Sequence, residues 1–317
     1  MNYNYLFLFI ATGAVGLALL WIAWRSIIKD EEELVDRAKL PWKILVPGYV
    51  FFASIAVGLS ITAGASWLGY FHYNPLILAW ASFASLIPAW ALVYLDLGGP
   101  HKAPSIITGF NKTSRIAWNV VFYTLMTLSI FWFLLQPSTL SALAIIVFPI
   151  LLETNLGMAF ATSKIPGWTP LKAAEAVAAA FTLAGALLLN WKVLTVSALA
   201  LLLLDFWQTY HDYFEHPKLL RAMPKGWTAL YYILLILAAL IAPYNVLIAA
   251  ALAFVGVFLQ KAVTAYWPQK ARLMEGYYKR VFSSGKASFV SGGDILAIVS
   301  AFLIWIAAIS FGLMFLG

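Results

Sequence analysis

Charge is sorted along this chain. It holds twenty Lys and Arg residues, and all but Lys192 fall in alternate gaps between long apolar stretches or in the parts of those stretches that adjoin the same gaps. Basic residues that flank membrane helices stay preferentially on the cytoplasmic side. A water-soluble fold has no reason to segregate its cations this way. The pattern therefore points to a polytopic membrane protein and gives it an orientation. Composition bears this out: 63% of the 317 residues are hydrophobic and only 10% are charged, against roughly 25% charged in an ordinary globular chain. The surplus apolar surface must face lipid.

About 20 apolar residues cross the hydrocarbon core as a helix. Ten stretches qualify, at residues 5–28, 43–69, 75–97, 115–136, 138–162, 171–190, 192–213, 226–243, 245–267 and 293–316. The expected fold is an all-α polytopic membrane protein of about ten transmembrane helices. Tight joints at Gln136-Pro137-Ser138, Asn190-Trp191-Lys192 and Ala242-Pro243-Tyr244-Asn245 are turn signals inside long apolar runs. The first stretch, from Tyr5 to Trp24, lacks a basic leader and a small-residue cleavage signal, so it reads as a retained helix. Alternating the loops puts both termini outside and five basic loops in the cytoplasm. Trp42, Trp67, Trp168, Trp191, Trp227 and Trp267 fall near the stretch ends, as an interfacial belt requires.

Several chemistries are excluded. Cysteine is absent, which rules out a disulfide, a thiolate-bound iron–sulfur cluster and a cysteine nucleophile in this chain. Of the four histidines, His72, His101 and His216 fall in loops and His211 at a helix end. No pair is placed to hold a haem iron between spans. There is no HExxH, CxxC or Walker loop. The formal charge of +7 follows from the basic loops and calls for no nucleic acid.

Charges inside a membrane are costly and are functional candidates by default. Here they are Asp96, Glu153, Glu175, Asp205 and Lys261, accompanied by Asn119, Asn155, Gln208 and His211. All fall in the inner half of the bilayer or near its centre. That asymmetry fits a polar pocket or proton route opening inward. The competing reading is a set of interhelical hydrogen bonds that only hold the bundle together, worth about 0.6–2 kcal/mol each. Glu153 is the first choice for a functional group, because Thr154 and Asn155 follow it directly and three polar residues interrupt one span.

Short strings in order along the chain carry a family resemblance. Leu40-Pro41-Trp42-Lys43 leads into the run from Gly48 to Gly58, and Leu95-Asp96-Leu97-Gly98-Gly99-Pro100-His101 follows. Next come Thr113-Ser114-Arg115-Ile116-Ala117-Trp118, then Asn155-Leu156-Gly157-Met158-Ala159-Phe160 with Ile165-Pro166-Gly167-Trp168, and late in the chain Gly256 to Lys261. Together they resemble the NrfD / polysulfide-reductase membrane-subunit family from about residue 41 onward. The extra first span resembles the family's ten-helix branch. Gly99 stands where the family usually has Arg, and no Tyr stands near Glu153, where some members have one.

The resemblance implies a quinone-reactive integral membrane subunit of a respiratory oxidoreductase in a prokaryotic plasma membrane. It implies a core of two four-helix bundles plus additional terminal helices. Residues 1–41 would form the extra helix and its loop, 42–168 the first bundle with the quinone site, and 169–317 the second bundle with the C-terminal helix. The cofactor would be a quinone, of menaquinone type, and no metal would be bound by this chain. The partners would be an iron–sulfur ferredoxin-like subunit and a molybdopterin or other catalytic subunit. The quinone-binding residues would be Tyr49, Phe52, Asp96, His101, Trp118, Asn119, Glu153, Thr154 and Asn155. Glu153 would exchange protons with the quinone, and Glu175, Asp205 and Lys261 would form a proton path. Two arrangements of the partners stay open, one facing the cytoplasm and one inverted; the basic loops favour the first. A secondary transporter of a small solute and a purely structural anchor are the rival functions.

Overall fold

The computed structural model describes residues 3–33, 43–96, 115–161, 169–215, 223–272 and 290–316. His101, the Gly98–Pro100 loop and the joint at 162–168 lie outside them. The described residues form ten α-helices and no strand. They are α1 (Tyr3–Glu33), α2 (Leu45–Trp67), α3 (Pro75–Asp96), α4 (Arg115–Leu135) and α5 (Thr139–Ala161). There follow α6 (Leu171–Leu187), α7 (Trp191–Glu215), α8 (Lys225–Ile241), α9 (Val246–Arg272) and α10 (Gly292–Leu316). Eight of these are long and apolar enough to cross a membrane, and α8 is a shorter apolar helix. This is the architecture of a polytopic membrane protein.

Local chemistry places the helix ends. Pro75 opens α3, where its missing N–H is one that no helix would use. Asn74 caps it, its Oδ1 accepting from the Leu76 and Ile77 amides at 3.0 and 3.3 Å. Ser138 and Ser141 open α5 with reciprocal bonds: the Ser141 amide donates to Ser138 Oγ and the Ser138 amide to Ser141 Oγ. Asn190 and Asn245 cap α7 and α9 through their side-chain oxygens. Ser291 and Asp294 make the same reciprocal pair at the start of α10. Two helices end in a left-handed residue that lets the chain turn back. After α2 it is Gly69 (φ 88°), which adopts this conformation without a Cβ penalty. After α6 it is Leu189 (φ 51°), which does not.

The chain divides into two compact units. The first comprises residues 1–37, 43–152 and 288–317. In it α2 packs on α3, while α10 packs on α1, α3 and α2. Helix α2 is the interior element, with 94% of its apolar window buried; α1 is peripheral, with 11%. Buried hydroxyls and indoles tie these helices together. Ser82 donates to the Ala56 carbonyl at 2.7 Å, Ser60 to the Ile145 carbonyl at 2.8 Å and the Trp305 indole to Ser85 Oγ at 2.8 Å. Helix α10 belongs to this unit through its packing on α1, α3 and α2. Phe9 meets Phe311, Gly13 faces Ala307 and Gly16 faces Ile304, so α1 and α10 run antiparallel.

The second unit comprises α5 from Glu153 onward and α6 to α9. Helix α6 packs on α7, α7 on α8, α8 on α9, and α9 back on α6. Small residues set the closest approaches. A Cβ placed on Gly157 of α5 would come within 2.4 Å of the Ala173 Cα of α6. At the far end of this unit, Ala186, Leu194, Ala238, Ala242, Ala249 and Ala253 form a core of mostly alanine, so these helices pack at close range.

Candidate functional site

The second unit is not apolar throughout. Glu153, Lys172, Glu175, Asp205, Gln260 and Lys261 are all buried, at 0 to 8% exposed. A buried charge is tolerated only when it is paired and hydrogen-bonded, and here the pairing joins five helices. On α6, Lys172 and Glu175 stand one turn apart and face the same side. The Lys172 ammonium donates to both Glu175 oxygens, at 2.8 and 2.7 Å. It also lies 3.7 Å from Oδ1 of Asp205 on α7. The other Asp205 oxygen accepts two hydroxyls from α8, those of Tyr231 and Tyr232, each at 2.6 Å. The two phenol rings stack with centroids 4.7 Å apart.

Gln260 of α9 bridges the carboxylates. Its Nε2 lies 3.2 Å from Glu175 Oε2, 3.3 Å from Asp205 Oδ1 and 3.3 Å from the Thr264 hydroxyl. One residue further on, the Lys261 ammonium stands 3.8 Å from Glu153 Oε1. Lys261 also lies within electrostatic range of Glu175 and Lys172, so the Glu153–Lys261 pair and the Asp205 group are neighbours in the same unit. A neighbouring contact, from the Thr169 hydroxyl to Gln208 Oε1, ties the start of α6 to α7. Around Asp205, two carboxylates, an ammonium, an amide and two phenols are joined by hydrogen bonds, a set that can hold a proton. Tyr232 is half-buried while Glu153 is fully enclosed.

Glu153, Glu175, Asp205 and Lys261 thus converge. Thr154 is half-buried and Asn155 buried on the turn that carries Glu153. Lys172, Gln260, Tyr231 and Tyr232 join them, and the sequence reading gave none of these four a role in the site. Lys172, taken there as a loop cation, is buried in the first turn of α6.

In the first unit, Tyr49 of α2 and Asp96, the last residue of α3, lie within electrostatic reach of one another. Phe52 is fully buried and packs against Phe51, Phe302 and Trp305 at ring-centroid distances of 5.7, 4.9 and 5.9 Å. It serves there as part of the packing between α2 and α10. Trp118 stacks on Phe122 of its own helix, and Asn119 beside it is buried.

No protein-family model matches this chain, and a comparison with curated proteins gives no match.

Proposed function

We propose that the chain is the quinone-reactive membrane subunit of a respiratory oxidoreductase in a prokaryotic plasma membrane. In this reading all ten helices cross the bilayer, a pair of four-helix bundles forms the core, and both termini lie outside. The observation that carries it is the buried polar group centred on Glu175, Asp205 and Gln260, with the buried Glu153–Lys261 pair in the same unit. Ionisable groups at this density inside an apolar protein are costly. A protein that only anchored partners would gain nothing from them. Quinone reduction and quinol oxidation couple two electrons to two protons, so the protein must supply groups that exchange protons away from bulk water. The motif order along the chain, with its resemblance to the NrfD family, supports the same reading. The chain has no cysteine, so the electrons pass to or from an iron–sulfur cluster held by a partner subunit.

The chain's own residues divide the work. Glu153, fully enclosed and beside Lys261, exchanges protons with the quinone. Lys172, Glu175 and Asp205 relay them, with Gln260 holding the two carboxylates in register. The family resemblance assigns Tyr49, Asp96, Trp118 and Asn119 to the quinone lining.

Titration of the purified protein with a quinone analogue, followed by tryptophan fluorescence, tests this reading. Saturable binding is expected. In the assembled complex Glu153→Gln should cut quinone turnover while leaving subunit assembly intact, and unchanged turnover would remove Glu153 from the mechanism. No quinone binding together with gradient-driven solute uptake into vesicles would place the protein among transporters instead.

A further inference from the structure

A second feature lies in the first unit. Between α1 and α3 is a cleft of about 410 Å³, lined by Leu17, Leu20, Trp21 and Trp24 from one helix and Ala91, Tyr94 and Leu95 from the other. Its volume falls in the ~300–1,000 Å³ range of small-molecule sites. The walls are almost wholly apolar. They suit a hydrocarbon chain better than a ring bearing two carbonyl oxygens.

The position of the cleft narrows the occupant further. Its residues come from the last turns of the apolar part of α1, Tyr3–Ile27, and of α3, Pro75–Asp96. Three of its seven side chains are Trp or Tyr, the residues that gather at headgroup depth. One turn beyond Trp21, the exposed Arg25 holds its guanidinium 5.0 Å above the Trp21 ring. An apolar slot with a fixed cation at its interfacial end matches an amphiphile with an anionic head. Helix α1 is held there by close packing on α10, where a Cβ on Gly16 would come within 3.0 Å of Ile304. The slot is therefore built and does not depend on a loosely attached helix.

We propose that this cleft binds one anionic phospholipid, with an acyl chain along Leu17, Leu20 and Leu95 and the phosphate on Arg25. The site is independent of the quinone reading and goes beyond it. The lipid would fill the groove beside the peripheral helix and fix α1 against α3.

Native mass spectrometry of the full chain in detergent tests the proposal, with phosphatidylglycerol and phosphatidylcholine as probes. One phosphatidylglycerol per chain should be retained in preference to phosphatidylcholine. Arg25→Gln should weaken that retention about fivefold, the factor one basic residue contributes near an anionic headgroup. Leu17→Trp, which fills the slot from an exposed position, should abolish it. Lys192→Gln is the control, because Lys192 also lies over a tryptophan, at 5.7 Å from the Trp191 ring, on a helix that contributes no lining to this cleft; retention should stay at the native level. Equal retention of the two lipids would overturn the proposal. So would an Arg25→Gln protein that binds like the native one, or an equal loss in Lys192→Gln. Displacement of the lipid, mole for mole, by a quinone analogue would also overturn it and give the cleft to the quinone.

Discussion

Lys172 is held by Glu175 and lies close to Asp205 in a site closed to water. Removing one member of a buried ion pair leaves the other charge uncompensated, at about 3–5 kcal/mol. Lys172→Met should therefore lower the unfolding temperature sharply in detergent, and adding Glu175→Gln should recover part of the loss. Tyr231→Phe and Tyr232→Phe each remove one hydrogen bond from Asp205 Oδ2. Each should cost about 1.5–3 kcal/mol by the same measurement, as expected for a bond to a charged group. Glu153, Glu175, Asp205 and Lys261 were legible in the sequence, since a charge within an apolar stretch stands out. Lys172 was not: two residues into its helix, it occupies a position where a flanking cation would also stand. Tyr231 and Tyr232 carry no sequence signal either. A tyrosine in an apolar run is ordinary, and its hydroxyl matters only once Asp205 of another helix faces it. Which of the buried groups meet depends on how each helix is rotated, and apolar stretches of nearly uniform hydropathy leave that rotation undetermined.

At the scale of elements, the ten helices fall close to the ten apolar stretches, because the joints carry their own chemistry. Asn190, Asn245 and Ser138 could be read as turn signals, and each caps the helix that follows. Leu189 is the exception, a left-handed residue that is not glycine. It is 44% exposed, so Leu189→Gly loses little packing and relieves about 1–2 kcal/mol of backbone strain. Its unfolding midpoint should rise. Gly157 behaves in the opposite way. Any side chain there meets the α6 backbone at Ala173 and the Lys172 carbonyl, so Gly157→Leu should cost at least about 1–3 kcal/mol. By pushing α5 off α6 it should also disturb the Glu153–Lys261 pair. Circular dichroism should show the helices retained while the unfolding temperature drops.

For the whole molecule, the sorting of basic residues set the fold class before any single residue had a role. The proposed orientation can be tested directly, because the native chain has no cysteine. Single cysteines at positions 192 and 102 should react with a membrane-impermeant maleimide from opposite faces of sealed vesicles, position 192 from the outside of intact cells. Labelling of both from one face would reject the ten-span arrangement. The grouping of α10 with α1 was not legible, since a chain of antiparallel spans says nothing about which distant helices become neighbours. The pairing of α1 with α10 has a consequence for biogenesis. Among the described residues, the Gly13–Gly16 face of α1 packs on α10. During synthesis on the ribosome, α1 must wait in the bilayer, its glycine face covered by lipid or an insertase, until α10 has emerged. A truncation before α10 should therefore leave α1 inserted but unpaired and open to quality-control proteolysis.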